Sequence, residues 1–273
     1  MSIDRLDDEH LLDEMFDAMH DRGSPESDAL GVEAQAEGRT LGRARGRARG
    51  RGGWVVTVDL DVLRRQAQDP ELRALYGSAD VRVAGGLQLL WASRLQGQPL
   101  PARIAGTSLA LRIASRAADD GRALYLLGGD PGAAEGAQTM LQRRYPGLQV
   151  CGSASGRVSL PATDDELDAL AELIAPTHPD VVLLAFGSPK QEYVAKGLRD
   201  RLPDVWFVGV GLGLGLLAGQ IDHAPEWMNQ LGVDWVHRLA QQPRQLAKRY
   251  LLDDLPFAAR MFASAAISRA RRR

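Results

Sequence analysis

The apolar run at residues 183–186 stops at Gly187 and gives way to Ser188, Pro189, Lys190, Gln191 and Glu192. A hydroxyl, an ammonium, an amide and a carboxylate thus follow one another directly after a hydrophobic segment. Pro189 suits a first helical position, and Ser188 and Gln191 have the spacing of a capping box. A well-capped helix start is by itself a sufficient explanation of this turn. The same helix start would also present free amides and a positive dipole end beside Lys190, a seat for a phosphate or a polar sugar. Two further glycine turns repeat the pattern, one at Gly128 and Gly129, the other at Gly209, Gly211, Gly213 and Gly215. Neither has the G-x-G-x-x-G spacing, and no segment has the G-x-x-x-x-G-K-[ST] spacing, so a dinucleotide enzyme or a nucleoside triphosphatase is poorly supported. Asp59 and Asp61 form a D-x-D pair of the kind that holds a divalent metal in many sugar-nucleotide enzymes. Residues two apart on a strand share a face by default, and no metal site is assigned.

These residues need a scaffold, and from Trp54 onward short β-branched runs alternate with helical segments. WVVTVDL, DVRVAGG, RALYLLGG, LQVCGSASG, DVVLLAFG and VWFVGVG read as strands. The segments between them carry helical signals: PGAAEGAQTMLQRRYPG opens with Pro and closes before Pro-Gly, and TDDELDALAELIAPTHP has a Thr cap and acids in its first turn. Strands separated by helices need crossover connections, so the expected fold is a Rossmann-like α/β domain, a parallel sheet with helices on both faces. Ligands of such sheets sit at the carboxyl ends of the strands, where the turn at residues 187–192 falls.

The chain of 273 residues is long enough to bury a substantial core, and its formal net charge of -2 hides an asymmetry. Residues 1–37 are rich in Asp and Glu, whereas residues 39–51 carry Arg at nearly every second position. In the acidic part, Leu11, Leu12, Met15, Phe16 and Met19 mark one face of a short helix, read either as a weak docking helix or as nothing. The Gly/Arg/Ala run could grip RNA or an anionic membrane. It has no aromatic residues for base stacking, so a solvated linker is favoured and no nucleic-acid partner is expected. Residues 1–52 are therefore expected to be a disordered extension, 53–236 the α/β domain and 237–273 a basic helical tail. The single Cys151 excludes a disulfide framework or multi-thiolate metal site within the chain and fits a reducing cytoplasm. The acidic N-terminus does not read as a signal peptide, and the longest apolar stretch, VWFVGVGLGLGLLAG, is too short and glycine-rich to span a bilayer.

Several blocks, in order, resemble the WecG/TagA/CpsF glycosyltransferases: DPELRALYGSADVRVAGGLQLLWASRL, PLPARIAG, LYLLGGDPGAAEGA, RYPGLQVCGSASG, GSPKQE, LLAGQIDHAPEWM, LGVDWVHRL and QQPRQLAKRYL. That family moves N-acetylmannosamine or its uronic acid from a UDP donor to a lipid-linked N-acetylglucosamine. The resemblance implies a UDP-sugar and a polyprenyl-diphosphate-linked sugar as partners, no cofactor, and a place at the inner face of the cell membrane. Self-association is left open. It puts Thr57, Gly106, Ser188, Pro189, Lys190, Gln191, Glu192 and Gly211 around the sugar nucleotide, with Gln191 the leading polar contact. Arg238, Arg244 and Arg249 match the tail arginines expected to bind the diphosphate, for which a guanidinium's bidentate geometry is suited.

The departures bear on activity. The aspartate that the family places after the second strand as its proposed catalytic base is Gly85 here, and glycine cannot accept a proton. Asp59 replaces an asparagine, Ser108 an aspartate, Leu212 a glycine, Gly215 an acid and His223 an arginine. Two expectations follow: a working transferase in which Asp59 or an unplaced residue supplies the base, or a degenerate member that binds a sugar nucleotide or partner enzyme without catalysis. Beyond the tail arginines, Leu255, Phe257, Met261, Phe262 and Ile267 with the terminal Arg cluster read as a helix lying on an anionic bilayer. The alternative is a helix packed on the domain or on a sister subunit.

Overall fold

The structure, a computed structural model, describes residues 3–20, 52–222, 224–225, 228, 234–241 and 247–270. In chain order the first half comprises α1 (Asp8–His20), β1 (Gly53–Val58), α2 (Leu60–Gln68), α3 (Pro70–Gly77), β2 (Val81–Ala84), α4 (Leu87–Gln96) and α5 (Gly106–Asp120). The second half continues with β3 (Ala123–Gly128), α6 (Ala133–Arg144), β4 (Gln149–Ala154), α7 (Asp164–Ile174), β5 (Val181–Ala185), α8 (Lys190–Arg201), β6 (Trp206–Gly209) and α9 (Gly213–Leu217). A helix at Asp234–Gln241, a π-helical turn at Lys248–Asp254 and a last helix at Leu255–Ala270 follow.

The six strands form one sheet in the order β2-β1-β6-β5-β3-β4, parallel at every pairing. β5 lies inside this sheet and is buried at all of its positions, which is why its sequence is an unbroken apolar run rather than an alternation. Its Val181, Leu183 and Ala185 face the layer that holds α1, α5, α6 and α9, while Val182 and Leu184 face the layer of α2, α3, α7 and α8. Each of these Val and Leu side chains contributes about 1.5–3 kcal/mol on burial. The steps β1 to β2, β4 to β5 and β5 to β6 run one way across the sheet over the second layer, and β2 to β3 and β3 to β4 return over the first. All crossovers therefore share one hand, as parallel units require.

Local sequence rules account for several joints. Thr163 and Glu166 close a reciprocal capping box on α7, as the sequence predicts. Asp69 ends α2 and starts α3, its carboxylate accepting from Glu71 N at 2.8 Å. At the amino ends of the strands, Asp80 accepts from Trp54 N and Asp180 from Ala123 N, both at 2.9 Å. Those aspartates finish the sheet at the end remote from the glycine turns.

The folded body begins earlier than Gly53. The stripe Leu11, Leu12, Met15, Phe16 and Met19, expected to belong to a disordered extension, lies in the core under α5, with Phe16 at 0 % exposure. Its acids meet arginines of the domain: Asp8 pairs with Arg112 at 2.9 Å and Asp13 with Arg116 at 3.3 Å, and the Arg116 guanidinium sits over the Phe16 ring. Ahead of α1, Asp4 N donates to Arg82 O and Arg82 N to the Asp4 carboxylate, both at 2.8 Å, which covers the edge strand β2. The acidic run at 21–37 and the Arg-rich run at 39–51 lie outside the described residues.

At the other end, buried Asp254 accepts from Arg64 Nε at 2.9 Å, and Arg64 also pairs with Asp61 of α2. The Leu255–Ala270 helix packs along α4, burying Ala265, with a cavity of about 630 Å3 between them whose lining includes Arg5, Leu89, Leu100, Met261 and Arg260. Leu251, Leu252, Leu255 and Ile267 remain exposed. No helix among the described residues is long and apolar enough to cross a membrane.

Candidate functional site

The carboxyl ends of β1, β2, β5 and β6 bring most of the sequence-predicted positions together. β1 and β2 finish level, Val58 opposite Ala84, so Asp59 and Gly85 leave the sheet side by side, and Gly85 N donates to Val58 O at 2.7 Å. Thr57 lies one step inside and donates to Gly209 O at 3.3 Å, tying β1 to β6. Gly106 opens α5 against the exit of β6. A Cβ there would fall 2.7 Å from Val210 O, so the close approach of helix and strand requires glycine. Gly211 turns the chain beyond β6 with φ +58.

The turn after β5 is built differently from the expected capping box. α8 starts at Lys190, the Ser188–Pro189 peptide is cis, and no side chain caps the helix. Gln191 reaches across the sheet instead. Its Oε1 accepts from Gly211 N at 3.0 Å and its Nε2 donates to Glu192 Oε1 at 3.1 Å, leaving the residue 4 % exposed. Gln191 thus fixes the β6 turn from within rather than presenting its amide to an open cleft. Lys190 also departs from the anion seat expected of it: its Nζ donates to Val158 O at 2.8 Å, pinning the loop after β4. Ser188 stays half-buried, its hydroxyl 3.0 Å from the Tyr76 hydroxyl of α3.

The two aspartates of D-x-D do not share a strand face. Asp59 is the N-cap of α2, accepting from Val62 N at 2.9 Å, whereas Asp61 is 1 % exposed and paired with Arg64 and Arg65. Among the described residues no three His, Cys, Asp or Glu side chains are gathered as a metal would require. Gly85 has room for a Cβ, which would meet Thr57 Cβ and Val58 O at 3.4 Å, so close packing is not what demands glycine there. Ser108 is exposed and donates to Ala105 O, Leu212 is exposed, and Gly215 packs against Ile221.

Glu192 is the unusual group of the cluster. It is 2 % exposed, its Oε2 has no hydrogen-bond partner, and burial pushes its pKa up to about 7, against the hydrogen bond from Gln191 and the nearby Ser188 hydroxyl and with a smaller push from the charge of Asp59. Tyr76, beneath it, is raised by its own burial and then by the Glu192 charge.

Two residues here carry no role in the sequence reading. Arg103 donates from Nε to Gly85 O at 3.0 Å, bringing a permanent cation to the turn after β2. Its signal is its place in PLPARIAG, between the second strand and Gly106. Tyr76 reads in sequence only as an apolar position of a helix. Of the tail arginines, Arg244 lies outside the described residues, as do the side chains of Arg238 and Arg249, and His223 lies outside them too.

The site is therefore a set of glycine turns, hydroxyls and carboxyls at the carboxyl edge of a parallel sheet, with an arginine at its margin. Residues 29–272 match the family model described as "Glycosyl transferase WecG/TagA/CpsF family". That match covers most of the chain and spans every strand of the sheet, so the chain belongs to the WecG/TagA/CpsF glycosyl transferase family.

Proposed function

We propose that this chain transfers an N-acetylmannosamine-type sugar from a UDP donor to an N-acetylglucosamine carried on a polyprenyl diphosphate, at the surface of a membrane. The observation that carries the reading is the convergence of Thr57, Asp59, Gly106, Ser188 and Gly211 with Arg103 on one sheet edge of a family glycosyl transferase. Transfer needs three things of such an edge: the donor held with its anomeric carbon open to attack, the acceptor hydroxyl relieved of its proton, and the negative charge of the departing UDP stabilised. The glycine turns allow backbone to approach the sugar nucleotide closely. Arg103 supplies cationic charge at the margin, with Arg238, Arg244 and Arg249 as the further arginines that would reach the diphosphate. Exposed Leu251, Leu252, Leu255 and Ile267, beside Arg260 and Arg269, suit a tail that rests on an anionic lipid surface where a prenyl-linked acceptor is found.

The test is transfer itself. Full-length protein with UDP-N-acetylmannosamine and a short-chain prenyl-diphosphate N-acetylglucosamine should release UDP and yield the disaccharide lipid by mass spectrometry. No product with any mannosamine-type donor would defeat the reading. Gly85 supports a second one, a member that binds the sugar nucleotide without turnover, and UDP binding without product would favour it.

A further inference from the structure

Nothing among the described residues requires Glu192 to carry a charge. Oε1 takes one amide hydrogen from Gln191, and Oε2 is buried without a partner. The groups facing it are Gln191 and Ser188 from its own turn, Tyr76 from α3 and Asp59 from the turn after β1. Behind Tyr76, Arg65 is already paired with Asp61. No cation among these opposes the carboxylate, and one placed so is costly to ionise. A glutamate in the first turn of a helix normally faces water, where it complements the dipole. This one points inward, beside a single hydroxyl of its own turn. That hydroxyl is Ser188, half-buried and held at 3.0 Å by Tyr76. When Tyr76 donates to Ser188 Oγ, the serine's own hydrogen is left to turn toward Glu192.

We propose that Ser188 and Glu192 together replace the carboxylate missing at position 85, Ser188 receiving the acceptor's proton as it passes its own to Glu192. The proposal rests on the transferase reading above. In the step, the acceptor oxygen forms a bond to the anomeric carbon of the donor and the bond from that carbon to the diphosphate oxygen breaks, its electron pair leaving with UDP. The acceptor's proton moves to Ser188 Oγ and the serine proton to Glu192, which becomes neutral. Glu192 returns its proton to solvent once the product has left. A carboxyl with a pKa of about 7 is ionised in part at neutrality and matched to this task, and one that is neutral after the step suits its buried surroundings. Asp59, with one oxygen on the amide of Val62, is the alternative acceptor.

The test is the pH dependence of kcat/KM for the full-length protein, measured for wild type and for Glu192→Gln, Ser188→Ala and Asp59→Asn. Wild-type kcat/KM should rise with pH through a limb near 7, because the ionised carboxylate is the active form. Glu192→Gln should lose the limb and fall by about 10²–10⁴-fold above it, with UDP affinity held within about threefold. Ser188→Ala should fall in the same way, and it covers the case in which the buried substitution disturbs folding. If Glu192→Gln keeps both rate and limb, or Asp59→Asn alone removes the limb, the proposal is overturned while the transferase reading stands. A wild type that binds UDP but makes no product at any pH overturns both.

Discussion

The two ends of the chain begin as similar sequences and finish in opposite environments. Each offers a short helix with an apolar stripe and a cluster of one charge. α1 buries its whole stripe under α5, while the Leu255–Ala270 helix buries Ala265 against α4 and leaves Leu255 and Ile267 in solvent. The difference lies in the partners. The acids of α1 face arginines on α5, so burying the stripe also pairs Asp8 with Arg112 and Asp13 with Arg116. Among the described residues no ion pair ties Arg260 or Arg269 of the tail to an acid, and the helix is anchored at its start by Asp254 on Arg64. Whether a stripe is buried or left largely exposed thus follows whether the fold offers complementary charge beside a complementary apolar hollow.

If α1 is core, Phe16→Ala should cost the most, about 3–5 kcal/mol for a large buried aromatic, read as a lower denaturant midpoint with an unchanged slope. A loss below about 1 kcal/mol would return α1 to the surface. Asp254→Ala should come next, at about 1–3 kcal/mol, because Arg64 keeps Asp61 but loses its second carboxylate. The loss should concentrate in faster hydrogen exchange over 255–270, and uniform acceleration throughout the sheet would show the tail to be part of the core instead. Leu252→Ser combined with Leu255→Ser should leave global stability within about 0.5 kcal/mol yet weaken co-sedimentation with anionic vesicles severalfold. Unchanged vesicle binding removes the membrane role from the tail. Arg112→Ala should cost about 0.2–1 kcal/mol, with no change in vesicle binding, since its pair with Asp8 is partly exposed and is screened further by added salt.

Much of the scaffold is legible in the sequence because its signals are local. The apolar run of β5 and the Thr163 cap of α7 each need only a few neighbours to be recognised, and the turn at Ser188 falls at a strand's carboxyl end as alternation alone requires. Gln191 shows where such reading stops. Its spacing from Ser188 is that of a capping box, but its amide is taken by Gly211, 20 residues later, through a contact that exists only once β5 and β6 are neighbours. Glu192 is placed near the sugar nucleotide by the resemblance alone, and it is the covering by Tyr76 and the turn at Asp59 that makes it a buried carboxyl with a perturbed pKa. The stripe of α1 was visible as a stripe, whereas its burial depended on arginines near residue 112 that no local window includes.

That last contact reaches into the order of folding. Asp13 and Arg116 are 103 positions apart, and closing so long a loop costs on the order of 4 kcal/mol before any contact compensates. At synthesis rates of about 5–20 residues per second, α1 is made roughly 5–20 s before α5 exists to receive it. Through that interval Leu11, Met15 and Phe16 have no hollow to enter, and the acids among them keep the nascent stripe dispersed. The charges that clamp α1 in the finished protein thereby act earlier as its solubility tag.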